Sequence, residues 1–278
     1  MKRRRYRSFL LVVGGVYCVA MSAVMVRDIF YGVRRFGGAA FEGFNHLLWP
    51  AVCDWCRVGI LETDRRLCRD CWNELLECTA GDYCPGCGKD ASKYAIIDGR
   101  CANCPSAKVH FDGIARAGVY DSVLRNLILA FKFQDRTELD GLLRGLADSA
   151  LQGSAFGAEI ELFVPVPLHW RRRLERGYNQ SHIICKGLTS AAGRTSTDLV
   201  RIRYTQRQWN LTPAKRRKNV AGAFAARRGH NFSGKTICLV DDITTSHATL
   251  NECAKTLKAA GAGKVLACVV AVAMQDGY

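Results

Sequence analysis

Four pairs of cysteines, each pair separated by two residues, crowd the stretch from Cys53 to Cys104: Cys53 and Cys56, Cys68 and Cys71, Cys84 and Cys87, Cys101 and Cys104. Two intervening residues let both sulfurs of a pair turn onto one metal, and two such knuckles complete a tetrahedral thiolate site. The gaps are 11 residues between the first two pairs and 13 between the last two, with Pro85, Gly86 and Gly88 supplying turn geometry around the third knuckle. Thiolates select zinc among the common metals, and a closed four-sulfur site is structural rather than catalytic. A disulfide scaffold would fit only a secreted chain, and an iron–sulfur cluster fits the regular knuckle pattern less well. Consecutive knuckles close the shortest loops and are the expected pairing, with an interleaved arrangement open. Cys18, Cys78, Cys185, Cys238, Cys253 and Cys268 stand alone and are assigned no chemistry.

The charge is as localised as the cysteines. The chain carries a net +15, and between Pro165 and Lys235 it has 16 Lys and Arg against two acids, Glu175 and Asp198. The rest is almost neutral. A positive field this concentrated suits a phosphate-rich partner, whereas a merely solubilising face needs no clustering of like charge. With 49% hydrophobic and 23% charged residues the 278-residue chain is globular, about two domains long, and neither disordered nor collagen-like.

The opening is different again. Met-Lys-Arg-Arg-Arg-Tyr-Arg leads into an uncharged run from Phe9 to Val26, near the lower length limit for a membrane-spanning helix. The run contains Gly14, Gly15, Tyr17 and Ser22, and the paired thiols downstream suit a reducing compartment. Three readings stand in order: an extension ahead of the true start, since Met21 and Met25 offer later ones; an anchor with a cytoplasmic body; and a secretion signal. The expected location is cytoplasmic, tethered to the inner membrane face only if the segment is real.

After Cys104 the texture becomes alternating. Strands are expected at Ile114–Tyr120, Glu161–Pro165, Leu199–Arg203, Thr236–Val240 and Lys264–Ala273. Helices are expected at Leu124–Phe133, Glu138–Leu151, Asn179–Ala192 and His247–Ala260. Continuous apolar strands alternating with helices predict a parallel α/β sheet covered on both faces, which binds ligands at the carboxyl ends of its strands. At one such end Asp241 and Asp242 are followed by a hydroxyl-rich turn and a helix start. Free N–H groups there suit a phosphate, Thr245, Ser246 and Thr249 add donors, and the two carboxylates suit vicinal hydroxyls or a magnesium ion. Ordinary helix capping by Asp and Thr is the bland alternative. Gly229–Thr236 matches G-x-x-x-x-G-K-T, but a strand follows it where a phosphate loop needs a helix, so it is read as a loop.

The acidic pair, turn and helix resemble the phosphoribosyl pyrophosphate loop of type I phosphoribosyltransferases. Val164-Pro165-Val166-Pro167-Leu168, Arg176-Gly177-Tyr178-Asn179-Gln180, Gln208 with Leu211, Arg216, Asn219-Val220 and Phe224 narrow the resemblance to the ComF (competence protein F) family. Leu47-Leu48-Trp49-Pro50 leading into Cys53 looks like that family's zinc finger. The resemblance implies a sheet of type I phosphoribosyltransferase type. It divides the chain into an extension at 1–44, a zinc module at 45–110 and a phosphoribosyltransferase-like domain at 111–278. By resemblance, Asp241 and Asp242 take the ribose hydroxyls, and Thr245, Ser246, His247, Ala248 and Thr249 form the loop around the 5′-phosphate. Val166, Pro167 and Arg176 lie on the pyrophosphate side. Asn179, Gln180, Gln208, Arg216 and Asn219 match the family's motif positions, and magnesium is the expected companion of the pyrophosphate. The family's loop ends Thr-Thr-Gly, whereas this chain has Thr245-Ser246-His247. A histidine there either closes the pocket or adds a cation to the phosphate, and puts activity in doubt.

Two functions follow from the resemblance. The first is a factor in DNA uptake during natural transformation, whose basic belt (Arg171, Arg172, Arg173, Arg203, Arg207, Lys215, Arg217, Lys218) binds single-stranded DNA beside the aromatics Tyr204 and Trp209. A competence helicase is a further expected partner. The second is an active phosphoribosyltransferase with an unidentified acceptor.

Overall fold

The computed structural model describes residues 51–60, 66–104, 109–188, 194–206 and 211–274. The extension, the Trp49-Pro50 lead-in, Arg207, Gln208 and Trp209 lie outside these residues. Residues 52–278 form one compact unit, built on a five-stranded, all-parallel sheet. Its strands are β3 (Gly113–Val119), β4 (Leu162–Pro165), β5 (Arg194–Thr195), β8 (Thr236–Thr244) and β9 (Lys264–Val272), in the order β3-β9-β8-β4-β5. Among the described residues two small antiparallel pairs lie outside it: β1 (Ile96–Ile97) with β2 (Arg100–Cys101), and β6 (Leu199–Arg201) with β7 (Phe224–Ala226).

The two central strands are apolar on both sides, and the pleat deals their residues to two cores. Cys238, Val240, Leu266, Cys268 and Val270 join one cluster with the helices Ser122–Phe133, Asp140–Gln152 and Gln180–Lys186. Ile237, Leu239, Val265, Ala267 and Val269 join the other with the helix Ala248–Ala259, whose Leu250, Cys253, Ala254 and Leu257 form its buried stripe. The lone thiols Cys238, Cys253 and Cys268 are thus ordinary core groups, and burial pushes each above its usual range.

The parallel α/β class matches the sequence expectation, and the differences lie at the ends of elements. Strand β8 runs four residues past Val240, because its pairing with β9 continues through Asp241 opposite Val269 to Thr244 opposite Val272. Polar residues at a strand end look like a turn; here they continue the ladder. The helix expected over Asn179–Ala192 stops at Lys186, before Gly187. Three helices go beyond those expected: Arg69–Thr79, which buries the stripe Cys71, Leu75 and Cys78 inside the cysteine-rich stretch, and Trp170–Arg176 and Pro213–Val220, which carry no apolar stripe for a periodicity reading to find. Among the described residues no helix is long and apolar enough to cross a membrane.

Candidate functional site

The carboxyl end of β8 is where the site begins. Successive side chains on a strand point to opposite faces, so adjacent carboxylates meet different neighbours. Asp242 is buried and paired with Lys132 of the helix Ser122–Phe133, Nζ to Oδ1 2.8 Å. The Asp241 Oδ1 accepts from the Ser181 hydroxyl at 2.8 Å and from the Asp242 backbone N–H at 3.0 Å. Desolvation, reinforced by the charge of Asp242, raises the Asp241 carboxyl to about 7 against the opposing pull of Lys132 and these hydrogen bonds.

The strand ends at Thr244 and the helix Ala248–Ala259 follows. In the turn between them Arg216 donates to Thr245 Oγ1 at 2.5 Å, and the Ser246 hydroxyl is shielded with no hydrogen-bond partner among the described residues. A cavity of about 600 Å³ opens over this turn. Every residue of the expected loop, Asp241, Asp242, Thr245, Ser246, His247, Ala248 and Thr249, lines it, together with Val166, Pro167, Arg176, Gln180 and Arg216. Val166 is held against β8 by its N–H, which donates to the Val240 carbonyl at 2.9 Å.

The cavity also has a cationic wall. The helix Trp170–Arg176 turns Arg172 and Arg176, one helical turn apart, toward the cavity and leaves Arg171 and Arg173 exposed. The helix Pro213–Val220 does the same, with Arg216 inward and Lys215, Arg217 and Lys218 exposed. Thr212 caps that helix through the Lys215 N–H, and Pro213 starts it. Arg172, assigned to the DNA-facing belt from sequence, therefore lies on the cavity side, where it also donates to the Thr205 carbonyl at 2.7 Å. Arg203 is exposed and donates to the carbonyls of Asn219 and Ala221.

Two motif residues serve the scaffold. The Asn179 amide donates to the Val166 carbonyl at 3.1 Å, and Asn219 clamps the Gln206 backbone, accepting from its N–H at 3.1 Å and donating to its carbonyl at 3.0 Å. Gln180 is buried at the cavity, accepts from Arg176 at 3.4 Å, and its Nε2 has no partner among the described residues.

Sequence reasoning missed Lys132, Ser181 and Arg201 as site residues. Lys132 gives no signal, since it looks like any basic residue in the last turn of a helix. Ser181 directly follows the motif ending at Gln180, so extending that motif by one residue would have found it. Arg201 ends the short strand Leu199–Arg201 and is buried against the Phe224 ring, 5.3 Å from its centroid. Desolvation, and then the charge of Arg172, lower it to about 10, and its Nε has no partner among the described residues. An unsatisfied buried guanidinium N–H and a shielded hydroxyl around one cavity are what an anion would complete.

His247 takes neither of the two roles expected for it. Its backbone is left-handed, at φ +58°, which is the conformation a glycine would adopt freely. Its ring is buried, with Nε2 donating to the Cys87 carbonyl at 2.7 Å and the ring 5.8 Å from that of Phe111. Desolvation lowers its pKa against the opposing pull of the Cys87 carbonyl and so disfavours the cationic form.

The eight paired cysteines gather into two groups, Cys53, Cys56, Cys68, Cys71 and Cys84, Cys87, Cys101, Cys104, the sulfurs of each within 4.8 Å of one another. Separations such as 3.5 Å for Cys56 and Cys68, 3.6 Å for Cys84 and Cys104 and 3.7 Å for Cys87 and Cys101 are far from a disulfide. They match the ~3.7 Å between sulfurs set tetrahedrally about zinc at about 2.3 Å. Both groups could hold a zinc ion. Cys53 is drawn down to about 7, because backbone hydrogen bonds at Cys68, Cys56 and Trp55 outweigh its desolvation, and Cys84 is lowered for the same kind of reason.

Fold and site together define a parallel α/β protein with two four-cysteine groups ahead of the sheet and an anion-suited cavity at its carboxyl edge. The chain is also similar in sequence to known proteins. The chain is 29% identical to Competence protein F of Haemophilus influenzae over 219 residues, 77% of this chain and 93% of that protein. It is 28% identical to the DNA utilization protein YhgH of Salmonella typhimurium over 221 residues, 78% and 94% of the two chains. It is 24% identical to Competence protein ComFC of Bacillus subtilis over 232 residues, 77% and 90%. No family model matches the chain. Relatives aligned over more than three-quarters of the chain support its place in the ComF family.

Proposed function

We propose that the chain is a ComF-type factor in DNA uptake, with a cavity that binds phosphoribosyl pyrophosphate and an exposed basic belt that binds single-stranded DNA. The relatives' names, competence proteins and DNA utilization proteins, support the role in DNA handling. The observation that carries the pocket reading is the meeting of two kinds of group around one cavity: paired carboxylates for a diol on β8, and Arg172, Arg176, Arg201 and Arg216 for phosphates. Asp241 and Asp242 would accept from the ribose hydroxyls. The turn Thr245–Thr249, with the orphaned Ser246 hydroxyl, would receive the 5′-phosphate, and Val166, Pro167 and Arg176 would face the pyrophosphate. A bound magnesium ion would neutralise charge on that pyrophosphate. Zinc in the two cysteine groups would stabilise the fold and take no part in chemistry.

The belt reading rests on the outward half of the same helices. Arg171, Arg173, Lys215, Arg217 and Lys218 are exposed, and beside them Trp170 and Tyr204 present rings, with Arg171 5.2 Å and 5.7 Å from their respective centroids. Cations interleaved with exposed rings bind single strands by neutralising phosphates and stacking bases. Fluorescence anisotropy of a labelled single-stranded oligonucleotide, titrated at several salt concentrations, tests it. The affinity is expected to fall steeply with salt, and a protein that leaves the oligonucleotide unbound at low salt contradicts the belt.

A second reading, transfer of the phosphoribosyl group, is favoured by the apolar side of the cavity, where Tyr120, Leu129 and Phe133 adjoin the carboxylates. In that reaction the bond from ribose C1 to pyrophosphate breaks, a bond from C1 to the acceptor forms, and the acceptor's proton passes to solvent. Pyrophosphate release in the presence of candidate acceptors is its test.

A further inference from the structure

The buried ring of His247 links two parts of the molecule that the proposed function treats separately. Cys87 belongs to the second cysteine group, and its carbonyl is the acceptor for His247 Nε2 at 2.7 Å. The knuckle around it is fastened to the sheet on its other side. The Ile114 N–H donates to the Pro85 carbonyl at 2.8 Å, Arg116 pairs with Asp90, and Gly88 sits so close to β9 that a Cβ there would lie 3.0 Å from Val272 Cγ2. Gly88 is left-handed at φ +72°, so that fit demands glycine on both counts. On the loop side, the His247 carbonyl accepts the Asn251 N–H at 2.8 Å, the opening hydrogen bond of the helix Ala248–Ala259. The Asn251 side chain in turn accepts the His110 N–H at 2.6 Å, next to Phe111, whose ring meets that of His247.

A histidine at positive φ is strained by about 1 kcal/mol and persists only where its surroundings fix it. Here the surroundings are the second cysteine group. We infer that His247 is a positioning residue, which ties the backbone of the turn Thr245–Ala248 to the folded second cysteine group through the Cys87 carbonyl. Gathering Cys84, Cys87, Cys101 and Cys104 onto one ion fixes the Cys87 carbonyl, the carbonyl holds the ring, and the ring holds the turn. The first group has no such link among the described residues; its Cys53 and Cys71 pack beneath the helices of the sheet's other face. Linkage requires the converse: whatever orders the turn must also protect the second group and leave the first unaffected. As a statement about a phosphate-binding turn, the inference rests on the pocket reading above, but the tether can be tested without any ligand.

Zinc-loaded full chain, His247→Gln and His247→Asn are compared. Glutamine places an amide N–H where the imidazole Nε2 stands, whereas asparagine tolerates positive φ but is too short to reach Cys87. Two rates are read by peptide mass spectrometry: amide hydrogen exchange over residues 243–250, and alkylation of each cysteine group during zinc chelation. His247→Asn is expected to speed both turn exchange and alkylation of the second group by about 5- to 10-fold, with the first group unchanged and His247→Gln near the parent. Unchanged rates in His247→Asn, or an equal rise in both cysteine groups, would overturn the tether. Phosphoribosyl pyrophosphate with magnesium, added to the parent protein, should slow alkylation of the second group alone. If the tether variants behave as expected and this addition changes nothing, the pocket reading fails and the tether stands.

Discussion

The two walls of the cavity are built in opposite ways. The acidic wall is the end of a central strand: Asp241 and Asp242 lie within the β8–β9 ladder, and Lys132 and Ser181 reach them from two helices packed on the sheet. The cationic wall hangs on the short helices Trp170–Arg176 and Pro213–Val220 and on the two-stranded ribbon of β6 and β7, whose arginines divide between cavity and solvent. Breaking the ion pair that anchors the first wall should therefore cost folding as well as binding. Changes on the outer half of the second should cost binding alone.

The largest effect separating them is expected from Lys132→Met, which leaves the buried Asp242 carboxylate without its ammonium partner. A loss of about 3 kcal/mol in denaturant unfolding is predicted, largely recovered by adding Asp242→Asn. A loss below ~0.5 kcal/mol would show that the acidic wall is not tied to the fold. On the other wall, Arg217→Glu with Lys218→Glu should weaken single-stranded DNA binding by at least about tenfold at low salt and flatten the salt dependence, with the unfolding midpoint unmoved. Unchanged DNA affinity would remove the outer face of that helix from the belt.

The pH dependence of stability sharpens the contrast further. The Asp241 carboxyl stands at about 7 in the folded protein, above its ordinary value, so the folded state holds a proton that the unfolded state has lost. Its contribution to stability is full below the ordinary carboxyl range and is lost as pH rises toward 7. Asparagine carries no such loss, so in magnesium-free buffer Asp241→Asn should come close to the parent near pH 4 and exceed it by roughly 2–4 kcal/mol at pH 8. An advantage that shrinks as pH rises would contradict the assignment. The smallest effect is expected at Ser246, whose shielded hydroxyl has no partner among the described residues. Ser246→Ala should leave thermal stability within about 0.5 kcal/mol of the parent or slightly above it. A loss larger than that would show that the hydroxyl already has a structural bond.

Much of this architecture was legible in the sequence, and unevenly so. Strands such as Thr236–Val240 and Lys264–Ala273 announce themselves because both faces are buried and no polar residue interrupts them. Cysteine knuckles are equally plain, since metal-ligand spacing is a local property. The acidic wall could be read for the same reason: its residues are contiguous in the chain. The cationic wall resisted, because in Trp170–Arg176 and Pro213–Val220 a solvent-facing arginine and a cavity-facing one are neighbours, and only the helical turn sorts Arg172 and Arg176 from Arg171 and Arg173. Lys132 was invisible because its partner is supplied by a distant strand. The contact of His247 was not legible because its partner is a carbonyl in the cysteine-rich stretch, 160 residues away, which no local pattern reports.

The central claim is that the cavity at the end of β8 takes a ribose phosphate between its two walls. Calorimetric titration of phosphoribosyl pyrophosphate with magnesium into the zinc-loaded protein tests it most directly, with Asp241→Asn/Asp242→Asn as the comparison. Saturable binding that the double variant loses by about 100-fold or more, while its DNA binding is retained, is the predicted result. No heat of binding to the parent protein, or equal binding by parent and variant, would contradict it.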